Sequence, residues 1–251
     1  MFRTQLPRIY ELWDLISDPA SPDAYFHDFE DRFQNWPDFR QVFIRWQKEL
    51  QGLDGGAWGF LKSEVSPYLI RRDQSGRGWQ QLFDILNQAY AYNYLKGIGC
   101  SSVRFIPRSG ELSKRTPDLE GRLDSCRVLC EVKTINTSDH EVQARRESTV
   151  RNITSQLNEG FFRKLRSDIA EAKKQLSAYD ATPGTQYFVY FNVCFDDFFG
   201  DYKEEYFQQI DQYLLANRTT GIELLFRHDS LFTKPFAMTA ATAVNPATRI
   251  I

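Results

Sequence analysis

The stretch Thr116-Pro117-Asp118-Leu119-Glu120-Gly121-Arg122-Leu123-Asp124-Ser125-Cys126-Arg127-Val128-Leu129-Cys130-Glu131-Val132-Lys133-Thr134-Ile135 decides the fold. Its two β-rich arms, 116–123 and 127–135, flank a turn near Asp124-Ser125-Cys126 and predict an antiparallel hairpin. Side chains alternate across a strand, so Val128, Cys130 and Val132 share one face and can join a core. Leu129, Glu131 and Lys133 share the other. A carboxylate and an ammonium two residues apart cost desolvation when buried. They suit an open strand end beside a cation or an anionic substrate. Asp118, on the neighbouring arm, can bring its carboxylate to that of Glu131. Two carboxylates held together repel unless one is protonated or a metal lies between them.

The flanking sequence extends the hairpin into a sheet. Residues 79–96 read as a long, mostly buried helix stopped by Gly97 and Gly99. Ser101 to Pro107 alternates like a strand. Residues 136–160 are polar and lack a core-forming pattern, as in a loop or a marginal helix. A helix is expected over 161–179, ended near Pro183-Gly184, and a buried central strand over 186–195. A helix over 202–217, a strand over 222–226 and an extended tail complete the chain. From residue 79 the order is α-β-β-β-α-β-α-β, which predicts an α/β fold with a mixed sheet covered by helices.

Residues 1–65 read as helical. Phe26, Phe29, Phe33, Trp36, Phe39, Phe43 and Trp46 fall at steps of three or four, interrupted at Pro37. Such a stripe could stack on unpaired bases, but core is the commoner use. Gly52 to Gly56 is a turn, and the polar, glycine-bearing run 71–78 is a boundary. The expected division is an N-terminal helical subdomain, 1–77, and a second domain, 78–251.

The chemistry follows from the carboxylates. Hard oxygen donors with few histidines suit Mg²⁺ or Mn²⁺ rather than Zn²⁺. An ion held by Asp118 and Glu131 would keep positions for water and a phosphate oxygen, lowering the pKa of the water and polarising the phosphoryl group. Lys133 would orient the water or stabilise charge growing on the phosphate.

Pro117-Asp118 followed by Glu131-Val132-Lys133 resembles the PD-(D/E)-x-K nuclease superfamily, whose restriction-endonuclease-like core has the order α-β-β-β-α-β. The resemblance covers about residues 79–195. Gln175-Leu176-Ser177-Ala178-Tyr179, near the end of the following helix, is similar to the Q-x-x-x-Y motif of the exonuclease-type branch; its i, i+4 spacing puts Gln175 and Tyr179 on one face. The resemblance implies a metal-dependent nuclease acting on nucleic acid, DNA rather than RNA. It assigns Asp118 and Glu131 to Mg²⁺ or Mn²⁺, with the backbone carbonyl of Val132 as a further ligand. It assigns Lys133 to catalysis, and Gln175 and Tyr179 to support of substrate and site. Asp84 is the acidic candidate on the first helix for an additional metal ligand.

Composition sets the outer limits. The chain has 251 residues, a net charge of −2 and four cysteines. No apolar run approaches the ~18–20 residues needed to cross a bilayer, and no signal-peptide segment is evident. A cytoplasmic protein with reduced thiols and no membrane partner is expected. Residues 100–136 and 137–175 each carry a net charge of +2, and residues 176–251 carry −4. Lys114, Arg115, Arg122 and Lys174 are the candidate contacts to a nucleic-acid backbone. His27, His140 and His228 have no zinc-type spacing. A phosphate-binding G-x-x-x-x-G-K-[ST] loop and a G-x-S-x-G elbow are both missing. Two other roles stay open: a silent nuclease-fold module that binds nucleic acid, and docking of a protein partner or second copy through residues 1–77.

Overall fold

The structure, a computed structural model, describes residues 2–70, 79–108, 115–135, 155–193, 202–227 and 248–250. It is mixed α/β, with an open mixed sheet and flanking helices. Among the described residues the chain divides into two compact units, one up to Ile98 and one from Gly99 onward. The first unit thus takes in the stretch 79–96, expected to be one helix. No described helix is long and apolar enough to cross a membrane.

The first unit is helical: α1 (Pro7–Trp13), α2 (Phe29–Asn35), α3 (Pro37–Gln51), α4 (Gly55–Val65), α5 (Gln80–Leu86) and α6 (Gln88–Gly97). Pro37 ends one helix and opens the next, because proline lacks the N–H a continuing helix needs but fits its first turn. The aromatic stripe is core. Phe26, Phe29, Phe33, Phe43 and Trp46 are buried, and only Trp36, at the proline break, is largely exposed. Asp54 caps α4 by accepting the N–H of Ala57 at 2.8 Å. The single helix expected over 79–96 is two, meeting at buried Asn87, a residue whose side chain disfavours helix interiors.

The second unit holds β1 (Ser101–Phe105), β2 (Leu119–Leu123), β3 (Cys126–Ile135), α7 (Glu159–Tyr179), β4 (Gln186–Val193), α8 (Lys203–Ala216), β5 (Glu223–Arg227) and β6 (Thr248–Ile250). The strands lie in that order across the sheet. β1, β2 and β3 run antiparallel, and β3 to β6 are parallel. Parallel neighbours need crossovers; among the described residues α7 lies in the one from β3 to β4 and α8 in the one from β4 to β5. β4 is buried from Phe188 to Val193, as befits a central strand with parallel partners on both sides.

α7 is positioned by its sequence. Asn158 caps it, accepting the N–H of Phe161 at 2.8 Å. Leu165, Ile169, Ala172 and Leu176 repeat at steps of four, three and four, which gives one apolar stripe. That stripe packs on Leu129, Ile135, Val189, Phe191 and Val193 of the sheet. β3 thus carries Leu129 and Ile135 as apolar ends of its α7 face, with Glu131 and Lys133 between them. The loop expected over 136–160 lies outside the described residues as far as 154.

Candidate active site

Cross-strand register places the acidic residues. β2 and β3 pair from Leu123↔Cys126 to Leu119↔Cys130. Glu120 and Leu129 face each other, so even-numbered residues of β2 share a face with odd-numbered residues of β3. Continued one residue, the alternation puts Asp118 on the face that carries Glu131 and Lys133. β2 then leaves β3. Asp118 replaces the missing ladder bond with its side chain, accepting the N–H of Val132 at 2.7 Å through Oδ2. Its backbone ties both neighbours: its N–H donates to the carbonyl of Cys130 at 3.1 Å, and its carbonyl accepts from Ile106 at 2.9 Å. The site is a fork in mid-sheet, covered by α7, rather than the open strand end that the hairpin alone predicts.

Glu131 is only 5% exposed. Lys133 Nζ lies 3.0 Å from its Oε1. Gln175, reaching from α7, donates through Nε2 to Glu131 Oε2 at 2.7 Å and to the carbonyl of Thr116 at 2.8 Å. Gln175 therefore ties helix, loop and strand together at the carboxylate. Burial pushes the Glu131 carboxyl well above the ordinary range, and the charge of Asp118 pushes it further; Lys133 and Arg115 oppose this without cancelling it. Asp118 is raised as well, by burial, against the Val132 N–H and the charges of Lys133 and Arg108. Two facing acids that both resist ionisation mark a place where a positive charge would be welcome. Cys130 is fully buried between the strands, and burial together with the same two acids holds its thiol protonated.

The remaining expected residues divide. Gln175 joins the carboxylates. Tyr179, one turn further on, stacks instead under Arg127, whose guanidinium lies 5.6 Å from its ring. Asp84 is on α5, in the first compact unit. Val132 contributes its N–H to Asp118. Arg115 pairs with Glu171 on α7. Lys174 and Arg122 are exposed, and Lys114 lies outside the described residues. Two features escaped the sequence reading. Arg108, and Arg115 in a role other than the backbone contact expected of it, bias the carboxylates from the ends of the β1–β2 connection, where neither belongs to a motif. Buried Glu120 gathers Arg104 and Arg127, a set that only register reveals.

Asp118 and Glu131 supply two hard carboxylate donors, the number that a Mg²⁺ site with several retained waters commonly uses. Among the described residues, no group of three or more His, Cys, Asp and Glu side chains is placed to hold a metal. Comparison with known proteins adds no relative: no family model, no curated protein and no solved structure matches the chain.

Proposed function

We propose that the protein is a metal-dependent nuclease that hydrolyses phosphodiester bonds of nucleic acid, DNA above RNA, on a restriction-endonuclease-like sheet. One observation carries the reading: Asp118 is tied by its side chain to the Val132 N–H of β3, beside a Glu131 that is buried with the Lys133 ammonium 3.0 Å from it, so burial raises both carboxyls and the Asp118 charge raises Glu131 further. A purely structural core gains nothing from that arrangement, because an apolar trio of similar size would avoid the desolvation.

The donor set suits Mg²⁺ or Mn²⁺, which when bound would polarise a phosphoryl oxygen and acidify a water. Asp118 and Glu131 would hold it, with the Val132 carbonyl as a further donor. Lys133 places positive charge beside the reacting phosphate, where it offsets charge developing on the oxygens. Gln175 fixes the Glu131 carboxylate so that it does not swing toward solvent.

The test is cleavage of plasmid and oligonucleotide substrates in Mg²⁺ or Mn²⁺, with and without EDTA. The reading requires cleavage that EDTA stops, and its loss in Asp118→Asn and Lys133→Ala proteins that keep the wild-type circular dichroism. Equal cleavage by both variants would sink it. A silent binding module is the second reading. The small donor set favours it, and it predicts salt-sensitive binding with no turnover in any divalent metal.

A further inference from the structure

The sheet face that carries Asp118 and Glu131 continues toward the hairpin turn as a cluster of arginines. Arg104 pairs in register with Glu120, and Arg122 with Arg127, so these four side chains share that face. Together with Ser102 and Gly121 they line a cavity of 390 Å³. Glu120, 8% exposed, forms its buried acid. Both of its oxygens are taken: Oε1 accepts from Arg104 Nε and Oε2 from Arg127 Nη2, each at 2.5 Å. Arg127 is anchored a second time, donating through Nη1 to Asp180 at 2.9 Å. A guanidinium has five N–H donors, so each arginine keeps donors in hand after these bonds. Arg104 remains 74% exposed. Arg122 is exposed and has no acidic partner among the described residues. Three cations therefore line a cavity whose single acid is already satisfied. At its rim the register of β1 shifts between Ser101 and Arg104, and Ser102 adopts φ 53°. Bulges of this kind re-aim strand side chains next to sites, and a non-glycine residue at positive φ is strain that the surrounding structure must hold.

We propose that this cavity is a second phosphate subsite, which takes a backbone phosphodiester of the same strand that is cleaved at Asp118 and Glu131. The inference rests on the nuclease reading and extends it to how the strand is aligned. Guanidinium forks match phosphate oxygens in geometry as well as charge. Arg127 and Glu131 are four residues apart on β3, about 13 Å at ~3.3 Å per residue. Such a separation places the two phosphates a few nucleotides apart on one strand. Glu120 is a positioning residue, and Arg122 is the contact that can be removed without breaking an ion pair.

The experiment measures affinity of the whole protein for 20-nucleotide strands and duplexes in EDTA, over a range of salt. Arg122→Ala should weaken binding about 3–10-fold and lower the salt slope by about one charge, while Arg122→Lys restores the slope but only part of the affinity. Arg163→Ala, an exposed arginine on α7, is the control and should change affinity less than twofold. In a second arm, one neutral methylphosphonate linkage is walked along the strand. Wild-type affinity should dip at a single linkage a few nucleotides from the scissile bond, and Arg122→Ala should erase that dip. A third arm compares 5′-phosphate with 5′-hydroxyl strands. Dependence on the terminal phosphate, with no internal dip, would overturn the proposal. Wild-type binding and cleavage with an unchanged Arg122→Ala protein overturn the subsite alone. Failure of the wild-type protein to bind any strand overturns the nuclease reading and the subsite together.

Discussion

Asp118→Asn should make the metal-free protein more stable while abolishing cleavage. The amide oxygen of asparagine can still accept the Val132 N–H that Asp118 receives at 2.7 Å, so the fork keeps its backbone tie. What disappears is a charge facing Glu131. Directly opposed residues on antiparallel strands have Cβ atoms about 4.5–5.5 Å apart. At an effective dielectric near 20 that separation gives roughly 3 kcal/mol of repulsion. Proton uptake by the pair and the Lys133 ammonium at 3.0 Å from Glu131 already relieve part of it. The burial of an amide group costs about 1 kcal/mol more. A net gain of about 1–2 kcal/mol remains at pH 8, equivalent to a rise in Tm of about 2–8 °C for a chain of this size. The sign depends on pH. Both acids have raised pKa values in the fold. Above the unfolded carboxyl range the folded protein therefore binds more protons than the unfolded chain, and wild-type stability falls as pH rises toward the raised values. The advantage of the variant should vanish near pH 4, where both folded acids are protonated. Differential scanning calorimetry in EDTA from pH 4 to 9 reads this directly. A variant less stable than wild type at pH 8 would mean that the Asp118 charge is already compensated, and the reasoning about an expectant cation site would be wrong.

The other expectations concern neighbouring groups. Lys133→Ala should cut cleavage at saturating Mg²⁺ by about 10²–10³-fold, the loss typical of a donor aimed at developing charge; a change below fivefold in single-turnover assays would remove Lys133 from the chemistry. Gln175→Ala breaks bonds to Glu131 and to Thr116. It should cost about 1–3 kcal/mol in denaturant unfolding and slow cleavage more than tenfold, with Gln175→Glu failing to restore the rate. Asp180 is held near a pKa of about 2, chiefly by the Thr182 hydroxyl and N–H and also by Arg127. Its stabilisation is present above the unfolded carboxyl range near pH 4 and is lost as pH falls toward 2, so Asp180→Asn should flatten the acid limb of a Tm-versus-pH curve. Glu120→Ala leaves Arg104 and Arg127 without their shared acid and should destabilise the protein by about 2–4 kcal/mol in the same unfolding assay.

Much of the sheet was legible because strand signals are local. Alternation in 101–107, the turn at Asp124-Ser125 and the mostly apolar run at Phe188–Val193, interrupted by Asn192, each state their own geometry. The helix break at Pro37 was legible because proline cannot continue a helix, whereas α7 begins at Glu159 rather than 161, behind an Asn158 cap that the polar run 136–160 did not single out. Asn87 was missed because a single polar residue inside an apolar run does not reveal where a helix divides. The first strand of the hairpin begins at Leu119 rather than Thr116, because Asp118 spends its side chain on Val132 and so ends the ladder there. For the site, alternation brought Asp118, Glu131 and Lys133 to one face, and i, i+4 spacing brought Gln175 within reach. Tyr179 shares that helix face, but one turn of α7 carries it along the sheet to Arg127. The Arg104–Glu120–Arg127–Asp180 set depends on pairing between strands and a helix end, and no local pattern encodes such long-range register.

The most direct test of the account is Mn²⁺ titration followed by electron paramagnetic resonance, with proton release recorded in weakly buffered solution at pH 7. Raised carboxyls that share a cation should bind one Mn²⁺ per chain and release protons as they do so. Asp118→Asn should abolish both signals. Absence of bound Mn²⁺ in the wild-type protein, or equal binding by the variant, would contradict the claim that these two acids share a metal ion.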